Sequence, residues 1–238
     1  MDPAGKRAIV LGGTSGIGLA TASQLQQAGA TVIVMSRSEA NAASAREVLG
    51  SEADIRQIDV LDRDALAASF EALAPFDILV NAATGGERAT GPFLQMDLDG
   101  YQGSFRKLWG YVNSVRLGTP HMSERGCIVL VSGSPARKCP PGFAAISSVG
   151  NAVEGFCRAV ATEIIPRRIN VVSPGFIDTP MFPMQGEARE QFLAQATAGN
   201  LIKRPGTPDE VADGILFTIR NDFVTGTTVD VDGGALLP

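Results

Sequence analysis

The sequence predicts one doubly wound α/β domain, and two observations carry that expectation. Short β-type runs alternate with helical patterns along the chain, and the first run enters a helix through clustered glycines. The runs are AIVL at 8–11, TVIVM at 31–35, DIRQI at 54–58, DILV at 77–80, CIVLV at 127–131, INVV at 169–172 and TTVDV at 227–231. Continuously apolar strands bounded by helices belong to a parallel sheet covered on both faces. No composition break, linker or repeat divides the chain, so residues 1–238 read as a single domain.

Composition agrees with that expectation and excludes several classes. Hydrophobic residues make up 45% of the 238, enough for a buried core and too many for a disordered chain. The net charge of −5 and a pI near 5.0 argue against nucleic acid as a partner. The longest apolar stretches, such as CIVLV, are too short to span a bilayer, so no membrane partner is expected. The opening MDPAGKRAIVLGG runs straight into the glycine turn and has no leader pattern. Cys127, Cys139 and Cys157 are odd in number and lack metal spacing. They read as reduced thiols of a cytoplasmic protein, with no metal site.

The glycine turn is LGGTSGIG, Leu11 to Gly18. Without a Cβ the backbone approaches an anion closely, and the helix that follows offers free N–H groups with a partial positive charge. A plain tight turn is the alternative, but a strand before and an amphipathic run after supply the dinucleotide context. Gly12, Ser15, Gly16, Ile17 and Gly18 are therefore candidate pyrophosphate contacts. The second strand ends at Ser36-Arg37, where a carboxylate for the ribose 2′-hydroxyl is expected. A guanidinium in place of a carboxylate favours a 2′-phosphate, hence NADP(H) over NAD(H). The bland alternative is a solvated arginine at a strand end. Asp59-Val60 follows the third strand, and Asn81-Ala82-Ala83-Thr84 follows the fourth. Both lie at carboxyl ends of strands, where open α/β sheets hold ligands.

Together LGGTSGIG, Asp59-Val60, DILVNAA, the PHM at 120–122, INVVSPGFIDTPM at 169–181 and FVTGTTVDVDGG at 223–234 resemble the short-chain dehydrogenase/reductase family. The resemblance covers essentially the whole chain. It implies a Rossmann-type domain with a seven-stranded parallel sheet and helices on both faces. It also implies a substrate lid at about 178–204 and assembly as a homodimer or homotetramer. By position it sets Gly12, Ser15, Gly16 and Ile17 at the pyrophosphate, Arg37 at the 2′-phosphate, and Asp59 and Val60 at the adenine. Asn81 and Ala83 would lie under the ribose, and Pro174, Gly175, Ile177 and Thr179 would flank the nicotinamide. Leu11 stands where the family has threonine, and Ala82 and Thr84 replace an asparagine and a glycine of its fourth-strand motif.

The larger departures concern proton transfer. The family uses a tyrosine with a lysine four residues on, a serine that holds the carbonyl oxygen, and an asparagine on a water-linked proton path. PGFAAISSVGNAVEGF resembles the family's tyrosine–lysine segment with Ile146 and Gly150 at those two positions. Gly133, thirteen residues before Ile146, then takes the serine position, and Lys107 the asparagine position. The resemblance thus implies a pseudoenzyme, or an inactive partner of an active homologue, with little ordinary carbonyl reductase activity. An atypical NADPH-dependent oxidoreductase using Lys107 or Ser134 as substitute acid is the alternative, and a metabolite-binding module is another. Lys107 either snorkels from an exposed helix or reaches into the volume vacated at Gly150. Ser147 and Ser148 read as helix-start caps. A helix from Ile146 to Ile165 carries the stripe Val149, Val153, Phe156, Val160 and Ile164, wide enough for a dimer face, with Gly150 and Gly155 allowing close backbone approach. Phe176, Met181, Phe182, Met184 and Phe192 make the lid segment apolar, which suits a small apolar metabolite.

Overall fold

Seven parallel strands pair in the order β3-β2-β1-β4-β5-β6-β7 in the computed structural model, which describes residues 1–84, 88–182 and 184–237. They are β1 (Arg7–Leu11), β2 (Thr31–Ser36), β3 (Asp54–Gln57), β4 (Phe76–Asn81), β5 (Met122–Val131), β6 (Arg168–Pro174) and β7 (Thr228–Val231). The connecting helices are α1 (Gly16–Gln27), α2 (Glu39–Leu49), α3 (Arg63–Leu73), α4 (Leu98–Ser104), α5 (Arg106–Gly118), α6 (Ala144–Ala161), α7 (Gly186–Thr197) and α8 (Pro208–Arg220). The strand order reverses between β1 and β4, which puts a crevice at their carboxyl ends.

The apolar runs are continuous because both sheet faces are buried. Ile9 and Leu11 of β1 point into a cluster with Phe70 of α3, Tyr111 of α5 and Val153 of α6. Ala8 and Val10, the alternate residues, point into the opposite cluster with Leu25 of α1 and Ile215 of α8. Among the described residues no helix is long and apolar enough to cross a membrane, and no group of three His, Cys, Asp or Glu side chains is placed to hold a metal ion.

Most strand boundaries fall within two residues of the runs read from the sequence. β5 begins at Met122 rather than Cys127, because Met122 pairs with Phe76 of β4 across a register irregularity, and a Ser123 Oγ hydrogen bond to Asp77 Oδ1 (2.8 Å) adds to that pairing. The sixth helix also differs from expectation. It starts at Ala144 and stops at Ala161, with Thr162 as its C-cap, short of Ile165. Its N-cap is Phe143, which places Ser147 and Ser148 inside the helix rather than at its cap. The Ser148 hydroxyl instead shares a hydrogen bond with Tyr101 Oη (2.8 Å). Much of the apolar stripe is taken up by the chain's own sheet, since Phe156, Val160 and Ile164 pack on the core cluster that includes Val153. A Cβ at Gly155 would meet nothing nearer than Arg158 Nη2 at 4.0 Å, so close approach occurs at Gly150 alone of the two.

Arg168 ties β6 to the end of α8. It is 8% exposed, and Nη1 donates to the carbonyls of Thr218 (2.7 Å) and Val224 (2.8 Å), while Nη2 donates to that of Ile219 (2.8 Å). Arg168→Met would strand these acceptors away from water at about 1–3 kcal/mol for each unsatisfied group. Urea unfolding should show a loss of at least ~2 kcal/mol, and a neutral variant would contradict this role.

Candidate functional site

The cradle begins where β1 ends. Gly12 donates its N–H to the Met35 carbonyl (2.7 Å) and turns at φ +74°. A Cβ there would lie 2.7 Å from the Ala83 nitrogen, so the turn rests directly on the chain leaving β4. A Cβ at Gly18 would collide with the Gly12 carbonyl oxygen, so the turn also closes on the first residues of α1. Ser15 is the N-cap of α1 but its side chain makes no capping bond, and no acidic residue sits in the first turn. The leading N–H groups of α1, from Gly16 and Ile17 onward, therefore face the crevice with the helix's positive end. Thr179 covers this end, its methyl 3.4 Å from where a Gly16 Cβ would stand. These features fit a dinucleotide pyrophosphate.

Ser36 closes β2, and its Oγ accepts from the Ser38 N–H (3.3 Å). Arg37 is half-exposed and its Nη1 lies 3.8 Å from Asp59 Oδ2, beyond hydrogen-bond range. Such a loose surface pair contributes little and leaves the guanidinium available to a phosphate. Asp59 Oδ1 accepts from the Leu61 N–H (2.9 Å), which shapes the turn after β3. Val60 is buried under Gly110 of α5, and its carbonyl accepts from Asn113 Nδ2 (3.1 Å).

Asn81 is fully buried, and both ends of its amide are engaged. Its Oδ1 accepts from the Ala83 N–H (3.0 Å), and its Nδ2 donates to Ser114 Oγ (2.7 Å), which donates onward to the Gly110 carbonyl. The amide thus sets the path of the chain, and Ala83 is the part of this turn that borders the cradle. Across the crevice Pro174 ends β6, and the Gly175 N–H bonds the Val231 carbonyl (3.0 Å). A Gly175 Cβ would stand 2.7 Å from the Asp232 carbonyl oxygen. Ile177 pairs with Gly206, through Asp178 N–H to Gly206 O and Gly206 N–H to Phe176 O, both at 2.9 Å.

The volume expected to be vacant beside Gly150 is filled. Ser134–Ala136 form a 3-10 turn that packs on α6, and a Cβ at Gly150 would lie 2.8 Å from Ala136 Cβ and 3.2 Å from its Cα. The turn is pinned by Arg137, which pairs with Asp230 of β7 and approaches Glu154 Oε1 of α6 (3.4 Å). Burial pushes the Glu154 carboxyl above its usual range. Asn151 Nδ2 adds a hydrogen bond to the Ala136 carbonyl. Gly133 is extended at φ 167°, and Ser134 opens the turn. Ser132, rather than Ser134, faces α6, with its Oγ donating to the Gly150 carbonyl (3.3 Å).

Lys107 does not snorkel outward. It is half-buried, with Nζ 3.4 Å from the Ser132 carbonyl oxygen and 5.5 Å from the centre of the Tyr111 ring. Burial lowers its pKa to about 7, and the charge of Arg88 adds to the effect. It cannot occupy the space beside Gly150, because Ala136 is there. Arg88 is the residue that sequence reasoning missed; it carries neither motif nor periodicity, and only its place after β4 hints at the crevice. Its Nη1 reaches Met181 Sδ (2.7 Å) in the lid segment. There Phe176 stacks on Phe182 at 4.7 Å and Phe192 packs against both, while Arg189 holds Asp178 and the Thr179 carbonyl.

Two measurements check this arrangement. Replacing a helix-interior glycine by alanine normally stabilises by up to about 1 kcal/mol, but Gly150→Ala should destabilise on denaturant unfolding because its methyl meets Ala136. A stabilised variant would refute the contact. Lys107 binds its proton less tightly folded than unfolded, so between pH 7 and its ordinary pKa of 10.5 the unfolded chain holds more protons and stability rises with pH. Lys107→Met should therefore raise the melting temperature over wild type most at pH 7 and progressively less toward pH 10. An offset independent of pH would show that the amine is not desolvated.

Comparison with known proteins agrees with this architecture. The family pattern described as enoyl-(acyl carrier protein) reductase matches residues 12–235. A 3-oxoacyl-(acyl-carrier-protein) reductase of Thermotoga maritima is 33% identical, with 98% of each chain covered. A short-chain dehydrogenase/reductase of Stachybotrys chlorohalonatus is 30% identical, again with 98% of each covered. A small-chain dehydrogenase solved in complex with NADPH superposes with a TM-score of 0.85 at 29% identity, covering 98% of this chain and 100% of that one. The chain belongs to the short-chain dehydrogenase/reductase family.

Proposed function

We propose that this chain is an NADP(H)-binding family member whose proton-transfer positions are replaced, leaving little or no ordinary carbonyl reductase activity. It would act as a pseudoenzyme or as the inactive subunit beside an active homologue. The observation that carries this reading is the contact of Gly150 with Ala136, which leaves no room for a lysine side chain without moving the pinned turn. Ile146 brings no proton to the same helix. A positioned general acid contributes about 10²–10⁴ in rate.

When bound, the cofactor supplies or accepts a hydride at its nicotinamide. The chain's own residues bind and orient it. Gly12, Ser15 and the N–H groups of Gly16, Ile17 and Gly18 hold the pyrophosphate, and Ser36 with Arg37 takes the 2′-phosphate. Asp59 and Val60 border the adenine and Ala83 the ribose, with Asn81 positioning Ala83. Pro174, Gly175, Ile177 and Thr179 flank the nicotinamide, and residues about 178–204 act as the lid. A homodimer or homotetramer is the assembly in keeping with the family. Three unpaired cysteines support a cytoplasmic setting, and burial pushes the thiols of Cys127 and Cys157 up to about 11 and about 12, which makes them inert.

A second reading rests on Lys107. An amine with a pKa of about 7 and its Nζ beside the Ser132 carbonyl is suited to proton donation near neutrality, as a substitute acid.

Calorimetric titration should show NADPH binding more tightly than NADH. Arg37→Gln should weaken NADPH by roughly tenfold, the worth of one charge-assisted hydrogen bond, and leave NADH nearly unchanged. Tighter NADH binding by wild type would overturn the 2′-phosphate assignment. Turnover of a ketone and aldehyde panel in the usual range of about 1–10³ per second would overturn the inactive reading.

A further inference from the structure

Two cations, the exposed Arg88 and the half-buried Lys107, lie near one another, and neither has an acidic partner among the described residues. Arg137, Arg158, Arg168, Arg189 and Arg204 each meet a carboxylate within 4.0 Å. Arg88 and Lys107 meet none, a feature they share with exposed cations such as Arg63 and Lys138, so their position rather than the missing acid marks them out. Arg88 instead ends on Met181 of the lid, and Lys107 on the Ser132 carbonyl at the end of β5. They approach from different elements, the segment after β4 and the start of α5. The two remain close enough for the charge of Arg88 to disfavour a proton on Lys107. Like charges gathered in a partly desolvated cleft are unfavourable unless an anion joins them.

The placement of this pair also matters. The segment carrying Arg88 is held over the start of α6 by a Gly91 N–H bond to the Gly142 carbonyl (2.9 Å), and the Ala89 N–H bonds Ser104 Oγ (3.0 Å). The adenine-side cation, Arg37, stands at the far end of the crevice beside Asp59. Beside Arg88 the lid offers Met181 and the stacked rings of Phe176, Phe182 and Phe192. The arrangement is a cationic head site next to an apolar wall.

We propose that Arg88 and Lys107 form the head-group site for a substrate or ligand bearing a carboxylate on an apolar body. This deepens the cofactor-binding reading and rests on it for the place of the nicotinamide. The ligand class is an oxo acid rather than a neutral ketone or sugar. The carboxylate accepts hydrogen bonds from the Arg88 guanidinium and the Lys107 ammonium, and its charge restores the proton that burial disfavours on Lys107.

The probes are 4-oxopentanoate and its methyl ester, titrated by ligand-observed NMR with and without saturating NADP⁺, which cannot reduce either. The acid should bind at least about tenfold more tightly than the ester, the worth of a single charge-assisted contact. Lys107→Met and Arg88→Met should each remove the preference, while Lys107→Arg, which keeps the charge, should retain it; melting curves confirm that the variants fold. Equal binding of acid and ester, or no detectable binding of the acid, overturns the proposal. So does a preference that survives in both methionine variants. If the preference exists without NADP⁺ and vanishes with it bound, the pair serves the cofactor's phosphates and the substrate assignment falls. If NADP⁺ does not bind but the acid preference is present and lost in both methionine variants, the cofactor reading fails and the anion site stands.

Discussion

Gly12 lies against the backbone of Ala83 with no space between them for a Cβ, and the carboxyl edge of the sheet is arranged around that contact. It joins the ends of β1 and β4, the two strands between which the sheet reverses direction. The contact needs Ala83 to leave β4 along one path, and Asn81 enforces that path by accepting the Ala83 N–H while its amide is held by Ser114. Ser114 is anchored to Gly110, which in turn packs on Val60 at the end of β3. Buried side-chain hydrogen bonds of this kind are costly to leave half-made. One chain of contacts therefore sets the turn after β3, the turn after β4 and the start of the glycine turn together.

Much of this was legible in the sequence. Period and apolarity place the strands because both sheet faces are buried, so each run is continuous and bounded by helices. The glycine turn was legible for a similar reason: glycine is demanded at Gly12 by the chain leaving β4 and at Gly18 by the turn itself, independent of any ligand. Less visible was what a side chain does once it is in place. Asn81 reads as a ligand contact by position, yet its hydrogen bonds are spent inside the protein. Lys107 reads equally well as an exposed lysine, because nothing in KLWG tells which way the amine turns. Arg88 leaves no trace, since a single charge in a loop has no period. The space beside Gly150 could not be read either, because what fills it is Ala136, fourteen residues earlier.

The turn at Ser134–Ala136 and the cation pair show how the region around Gly150 and Lys107 differs in character from the glycine turn. The glycine turn is backbone, shaped by glycines and an uncapped helix. The region around Gly150 and Lys107 is side-chain electrostatics, with Arg137 neutralised by Asp230 and Glu154, and Lys107 and Arg88 left without acid partners among the described residues. A charge with a partner is held in place, and one without a partner is poised to accept an anion or to lose its proton.

The packing of Ala136 on Gly150 also bears on how these two positions can change. A larger side chain at 150 alone would meet the turn, and a smaller residue at 136 alone would leave a void against α6. Neighbouring substitutions of this sort are not additive. Each single change therefore passes through a less stable protein. The contact couples the two positions: with Ala136 packed on Gly150 and Arg137 holding the turn, a larger side chain at 150 needs a compensating change at 136.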